Sequence, residues 1–193
     1  LYNLDKINKK DLLSFRDLGT KLQGHPDRTK LKYIELGTGA LGQGLSVSIG
    51  LALANLMLKK NKKSFCLVGD GEIQEGQIWE AVMYAGSHNL NNLCVILDNN
   101  RMQNETYTNK TLDVMPLREK WQAFKWNVIE IDGHSFKEID KAFNKFYLEK
   151  KKPTVIIANT IKGKGISFME DSAAWHSKVL DEKSYLVAKK ELI

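Results

Sequence analysis

An α/β fold, a mostly parallel sheet with helices on both faces, is predicted by three observations. Four short runs, 65–68, 93–97, 128–131 and 154–158, are nearly continuous in Val, Ile, Leu and Phe, as strands are when helices cover both sides of a sheet. Longer segments of helical period alternate with them, and that alternation is the pattern of βα units around a parallel sheet. The chain has 193 residues, 42% of them apolar, enough to bury one core and to fill one unit of ~100–200 residues. A single domain over residues 1–193 is expected, rather than a large multidomain enzyme standing alone.

Taken in order, residues 37–50 are glycine-rich at their start. They continue into a small-residue helix over 45–60, which closes on Lys59-Lys60 before the strand at 65–68. A helix over 74–87 places Ile78, Val82 and Ala85 on one face, and the strand at 93–97 follows. Trp121, Phe124 and Trp126 read as core or interface packing ahead of the strand at 128–131. Ser135 opens the next helix, with Glu138 three residues on as a capping box. Ile139, Phe143 and Phe146 supply that helix's inner face. Lys145 to Lys152 reads as a solvated helix end, where cations suit the negative end of the dipole. After the strand at 154–158, Asp181 caps a last helix over 182–192.

Lys and Arg number 29 against 23 Asp and Glu, a net charge of +6. Acidic residues are interspersed throughout, so the charge suits an anionic ligand or ordinary solubility at least as well as a nucleic-acid footprint. Cys66 and Cys94 each sit inside an apolar run and read as small buried hydrophobes; a reducing cytoplasm is the expected location. The longest apolar stretch, 45–58, is broken by Ser46, Ser48, Gly50 and Asn55 and falls short of the ~20 residues that a membrane span requires.

The chemistry concentrates between Phe65 and Gln103. One strand ends in Gly69-Asp70-Gly71-Glu72 and the next in Asp98-Asn99-Asn100-Arg101-Met102. Adjacent parallel strands bring Asp70 and Asn100 to the carboxyl edge of the sheet, where open α/β sheets bind ligands. A carboxylate and an amide oxygen are hard donors that suit Mg²⁺ and leave most of its shell free for phosphate oxygens, a carbonyl and water. Gly69 and Gly71 allow the backbone to approach phosphates closely. The glycine-rich junction at 37–50 offers backbone N–H groups and a positive dipole end to an anion.

The 27 residues between Gly71 and Asn99 make this pairing of Gly-Asp-Gly with Asn-Asn resemble the thiamine diphosphate motif. Gly24-His25-Pro26, Gly39-Ala40-Leu41-Gly42-Gln43-Gly44, Asp132-Gly133-His134 and Trp175-His176 then follow the order seen in transketolases. The runs 71–80 and 162–170 look most like the N-terminal subunit of split bacterial transketolases. The resemblance implies the diphosphate-binding fold, known as the PP domain. It also implies thiamine diphosphate with Mg²⁺, or another divalent ion such as Ca²⁺ or Mn²⁺, held by Asp70, Asn100 and the Met102 carbonyl. Gly39, Ala40 and Leu41 would lie along the cofactor through backbone atoms, beside Gly69, Gly71 and Glu72. Ala40 stands where transketolases commonly have proline. Glu75 would join an acidic network between the two cofactor sites, and His25 and His176, matching histidines that line the substrate channel, would act catalytically, shuttling protons to and from a sugar hydroxyl or donating to a phosphate. His134 is read as structural and His88 as complementing a helix dipole. Lys162, aliphatic in many full-length transketolases and often lysine in the split forms, is expected in a loop or phosphate role and receives no assigned function.

The implied activity moves a two-carbon ketol unit from a ketose, free or phosphorylated, to an aldose through a thiamine diphosphate adduct. The glutamate that activates the cofactor belongs to a pyrimidine-binding domain, which this sequence does not contain. A C-terminal transketolase subunit carrying that domain is the expected partner, in a dimer of heterodimers, with neither nucleic acid nor membrane involved. Such N-terminal subunits carry a further segment ahead of the point matching Leu1, so either Leu1 falls inside a longer gene product or the protein is a reduced form. The competing readings are a related enzyme, such as 1-deoxyxylulose 5-phosphate synthase or a specialised ketol transferase, and a non-catalytic basic binding or scaffold module. The deoxyxylulose enzyme lacks the Gly24-His25-Pro26 and Gly39-Ala40-Leu41-Gly42 patterns.

Overall fold

The computed structural model describes residues 1–192. Its elements run α1 (Lys9–Leu13), α2 (Gln43–Met57), β1 (Ser64–Gly69), α3 (Gly76–Ser87), β2 (Leu93–Asn99), α4 (Thr108–Thr111), α5 (Leu117–Ala123), β3 (Asn127–Asp132), α6 (Phe136–Leu148), β4 (Thr154–Asn159) and α7 (Glu182–Glu191). The strands form one sheet in the order β1-β2-β4-β3, and every pairing is parallel. Each strand expected from the sequence is present and extends one or two residues further. Those added residues carry the strand-end chemistry: register pairs Gly69 with Asp98 across β1 and β2, and Asn99 with Asn159 across β2 and β4.

Helix ends depart more from expectation, for local reasons. Helix α2 begins at Gln43 rather than near 45 because Gly42, at φ 81°, turns the chain in. It stops at Met57 rather than 60, and Lys59 adopts a positive φ of 50°. Helix α3 begins at Gly76 rather than 74, because Glu72–Gln74 form a separate 3₁₀ turn. At the start of α6 only half of the expected capping box forms: Ser135 Oγ accepts from the Glu138 N–H at 3.3 Å, but the Glu138 carboxylate accepts from the Asp132 N–H at 2.8 Å. Asp181 caps α7 as expected, accepting from the Ser184 N–H at 2.7 Å.

Two apolar layers flank the sheet. On one face α2, α3 and α5 bury Leu45, Ile49, Ile78, Val82, Ala85 and Trp121 against Val68, Val95, Leu97 and Val155. Trp126 belongs to the same cluster and donates its indole N–H to the Val82 carbonyl at 2.9 Å, so these tryptophans are core. On the other face α6 packs Ala142 and Phe146 over Cys94, Ile129 and Ile156. Among the described residues, the β1 end of that second face stays open, with Phe65 44% and Leu67 70% exposed. Helices cover both faces, as the sequence implied, but the second incompletely. Cys66 and Cys94 are free and buried, and burial pushes the Cys94 thiol up to about 12. Lys150, Lys151 and Lys152 are solvated. Among the described residues no helix is long and apolar enough to cross a membrane.

Candidate functional site

The carboxyl ends of β1 and β2 bring Asp70 and Asn100 to the same edge of the sheet. Asp70 is only 1% exposed. Its Oδ1 accepts the Gly71 N–H at 2.8 Å, while its Oδ2 is buried without a hydrogen-bond partner among the described residues. Burial pushes the carboxyl up to about 6, against the N–H groups of Arg101 and Gly71, which pull it down; Asp98 adds a smaller upward push. A buried carboxylate oxygen with nothing opposite it is costly unless a positive group arrives.

Asn100 is oriented by its neighbours. Its Nδ2 donates to Asp98 Oδ2 at 3.2 Å, and its Oδ1 accepts the Met102 N–H at 2.9 Å. The other carboxylate oxygen of Asp98 accepts the hydroxyl of Thr160 from the end of β4. Asp98 thereby fixes which way the Asn100 amide points, a role that its sequence position does not reveal although it stands in the same strand exit. Asn99 plays no part in that face: it is buried and donates to Asn159 Oδ1 at 2.7 Å across the sheet. Met102 is buried in the hairpin that follows, bridged to Tyr107.

The glycine loop is held differently from the expected open anion nest. The Gly42 N–H, at the positive end of α2, donates to Glu72 Oε1 at 2.9 Å, and the Gly69 N–H donates to Glu72 Oε2 at 3.1 Å. One carboxylate ties the loop to the end of β1, so Glu72, expected beside the cofactor, also acts as a clamp with each of its oxygens accepting an N–H. Gln77 adds a second tie, donating to the Leu41 carbonyl at 2.8 Å and accepting from Gln43 at 3.0 Å. Gln77 carries no signal in the sequence. A Cβ on Gly42 would sit 2.8 Å from the Gln77 side chain, in a backbone conformation that favours glycine. Removing the clamp in Glu72→Ala leaves two N–H groups without their acceptor, at about 1–3 kcal/mol. A fall in urea midpoint of that size, with new proteolytic cleavage in 37–43, is expected; cleavage unchanged from wild type contradicts the clamp.

His25 lies over this loop, its ring Cγ 2.9 Å from where a Cβ on Gly39 would stand. Gly39, Ala40 and Leu41 are exposed there. Glu75 is not in the first turn of α3 but at its N-cap, where its side chain makes no capping bond and is exposed. His176 ends a 3₁₀ turn at Ala173–Trp175, and its Nδ1 lies 2.9 Å from Lys162 Nζ. His134 Nε2 accepts the Ile161 N–H at 2.8 Å, which pins the strand exit after β4. His88 caps α3, bonded to the Tyr84 carbonyl at 2.9 Å and stacked on the Tyr84 ring.

A cleft of about 550 Å³ opens at the carboxyl edge between Asn100, Arg101, Tyr107, His134, Thr160 and Asp171. The larger hollow, about 760 Å³, lies mainly on the open apolar face over Leu67, Ile96 and Phe143, and reaches the site at Asn100, His134 and Lys162. Among the described residues no three His, Cys, Asp or Glu side chains gather to hold a metal unaided. A cation here would therefore take one carboxylate oxygen, one amide oxygen, a main-chain carbonyl and oxygens from its ligand, a hard-oxygen set that suits Mg²⁺.

Fold and site define a class: a parallel α/β domain whose glycine loop, buried carboxylate and oriented amide meet at the carboxyl edge of the sheet. Residues 1–192 match the family described as the transketolase, thiamine diphosphate binding domain, and the chain belongs to that family. It is 43% identical over 174 residues to the 6-deoxy-6-sulfo-D-fructose transketolase subunit SqwG of Clostridium sp. (strain MSTE9), covering 90% of this chain and 63% of that protein. It is 40% identical over 176 residues to one of the subunits of the apulose-4-phosphate transketolase of Phocaeicola vulgatus, covering 91% of this chain and 62% of that one. The crystal structure of transketolase from Campylobacter jejuni superposes with a TM-score of 0.89 at 34% identity, over 95% of this chain and 30% of that chain. The chain thus spans just over three fifths of the length of the first two relatives.

Proposed function

We propose that this chain is the diphosphate-binding half of a transketolase, which moves a two-carbon ketol unit from a ketose to an aldose together with a pyrimidine-domain subunit. The observation that carries the reading is the buried, unpartnered Oδ2 of Asp70 beside the oriented amide of Asn100. Asp70, Asn100 Oδ1 and the Met102 carbonyl would hold a divalent cation, Mg²⁺ or an equivalent such as Ca²⁺ or Mn²⁺, and through it the diphosphate of thiamine diphosphate. Gly39, Ala40, Leu41, Gly69 and Gly71 would let the main chain approach the cofactor, with Glu72 setting the loop's position. Thiamine diphosphate, once bound, supplies the carbanion chemistry.

The remaining work falls to this chain's own groups. His25 over the glycine loop would handle protons at sugar hydroxyls, and His176 beyond the β4 exit would hydrogen-bond a sugar hydroxyl or a phosphate. Glu75, exposed at the N-cap of α3, is free to meet a carboxylate network across a subunit interface. The names of the Clostridium and Phocaeicola relatives specify sugars with an anionic end, one a sulfonate and one a phosphate, and a phosphorylated or similarly anionic ketose is the proposed substrate class. A dimer of heterodimers in the cytoplasm, with the free buried cysteines kept reduced, completes the reading.

The test mixes the purified chain with a pyrimidine-domain subunit of a split transketolase, in the presence of thiamine diphosphate and Mg²⁺, and follows transfer from a ketose phosphate to an aldose. Turnover by the pair and by neither chain alone is expected. Turnover by this chain alone contradicts the proposal.

A further inference from the structure

Two successive residues at the exit of β4 donate to two different imidazoles, at opposite ring nitrogens. The Ile161 main-chain N–H reaches His134 Nε2 at 2.8 Å, and Lys162 Nζ lies 2.9 Å from His176 Nδ1. An ammonium has three donors and no acceptor, so a close approach of Lys162 to that nitrogen requires its lone pair and hence a neutral ring. The proton of the neutral ring must then sit on Nε2. Two carboxylates nearby are occupied: Glu170 accepts the Gly165 N–H at 3.0 Å and pairs with Lys164 at 3.4 Å, and Glu191 accepts the N–H and hydroxyl of Ser167 at 2.6 and 2.7 Å. Lys178 stands 4.5 Å from the centroid of the neighbouring Trp175 ring. Asp171, whose N–H donates to the Lys162 carbonyl at 3.0 Å, is a further carboxylate beside this segment, yet the charge that acts on the His176 ring is that of Lys162.

We infer that Lys162 is a positioning residue that holds His176 as the neutral tautomer protonated at Nε2, so that His176 meets its ligand as a hydrogen-bond donor rather than as a base. In support, the His176 ring is held below its ordinary value, first by burial and then by the Lys162 charge. His134 is held in the opposite tautomer, with its proton on Nδ1. What His176 donates to, an oxygen of sugar or diphosphate, rests on the ketol-transfer reading; the tautomer does not.

The experiment is ¹⁵N-detected NMR of imidazole-labelled full-length chain, with the His176 signals assigned by His176→Asn, read in wild type, Lys162→Met and Lys162→Arg. Wild type is expected to show His176 almost wholly as the Nε2–H form. Lys162→Met should give a mixture of tautomers and a titration midpoint moved up toward ~6.5, while Lys162→Arg, which keeps a donor and a charge, stays close to wild type. His134, whose donor is main chain, should be unmoved throughout and thereby reports an intact loop. An unchanged His176 tautomer and midpoint in Lys162→Met overturns the inference. Because no substrate or partner enters the measurement, that failure is separate from a failure of ketol transfer.

Discussion

Asp70→Asn is expected to abolish the response to cofactor while leaving the metal-free chain at least as stable as wild type at pH 8. The two effects share one cause. The Asp70 carboxyl is raised from the ordinary 3.8 to about 6 by burial, so between those values the folded chain binds a proton that the unfolded chain has already released. Stability from this group is complete below about 3.8, declines as pH rises toward 6, and is flat above it. A shift of that size corresponds to at most about 3 kcal/mol, less where solvent screens the group. Urea titrations of the metal-free chain should show that decline in wild type and its absence in Asp70→Asn. A divalent cation opposite Oδ2 restores the lost stability to wild type above pH 6 and not to the variant. In the assembly proposed above, removing this ligand is expected to cost at least ~100-fold in turnover, more than the loss of an outer partner. A variant that keeps its cofactor-dependent rise in melting temperature contradicts the assignment of Asp70.

Gly86→Ala is expected to be the most damaging single change to the fold. A Cβ there would stand 1.8 Å from the Phe124 carbonyl oxygen and 3.3 Å from Trp126 Cδ1. The first obstacle is main chain and cannot swing aside. Gly86 is buried in the last turn of α3, against the segment that carries Trp126 into the core. Overpacking against backbone should cost about 3–5 kcal/mol, a large part of the ~5–15 kcal/mol typical of a domain. Denaturation midpoints compared with those of the exposed neighbour variant Ser87→Ala, expected within ~0.5 kcal/mol of wild type, check this. Equal midpoints for the two variants contradict the close approach.

How much of the fold and site is legible in the sequence follows from what each feature depends on. The four strands show because a parallel strand covered on both faces becomes a continuous apolar run, as in Cys94 to Leu97. Asp70 and Asn100 can be placed together because register in a parallel sheet carries one strand exit beside the next. Helix starts are less legible: Gly42 turns the chain through a positive φ, and glycine residues look alike whether they cap a helix or lie inside one. Long-range clamps are not legible at all. Glu72 reads as a ligand because it adjoins the motif, whereas its contact with Gly42 spans 30 residues. Gln77 and Asp98 set the loop and the amide through geometry that no local spacing encodes, and the tie between Lys162 and His176 needs two loop segments to fold together. The thinly covered second face is equally hidden, since Phe65 and Leu67 have the composition of a fully covered strand.

The central claim is that a diphosphate is held here through a divalent cation shared by Asp70 and Asn100. Isothermal titration of thiamine diphosphate into the chain mixed with a pyrimidine-domain subunit of a split transketolase, with Mg²⁺ and then with the cation removed by chelation, tests it most directly. Binding that appears with Mg²⁺, disappears on chelation and is absent in Asp70→Asn is the predicted result. Binding of equal strength with the cation removed, or with Asp70 replaced, would contradict it.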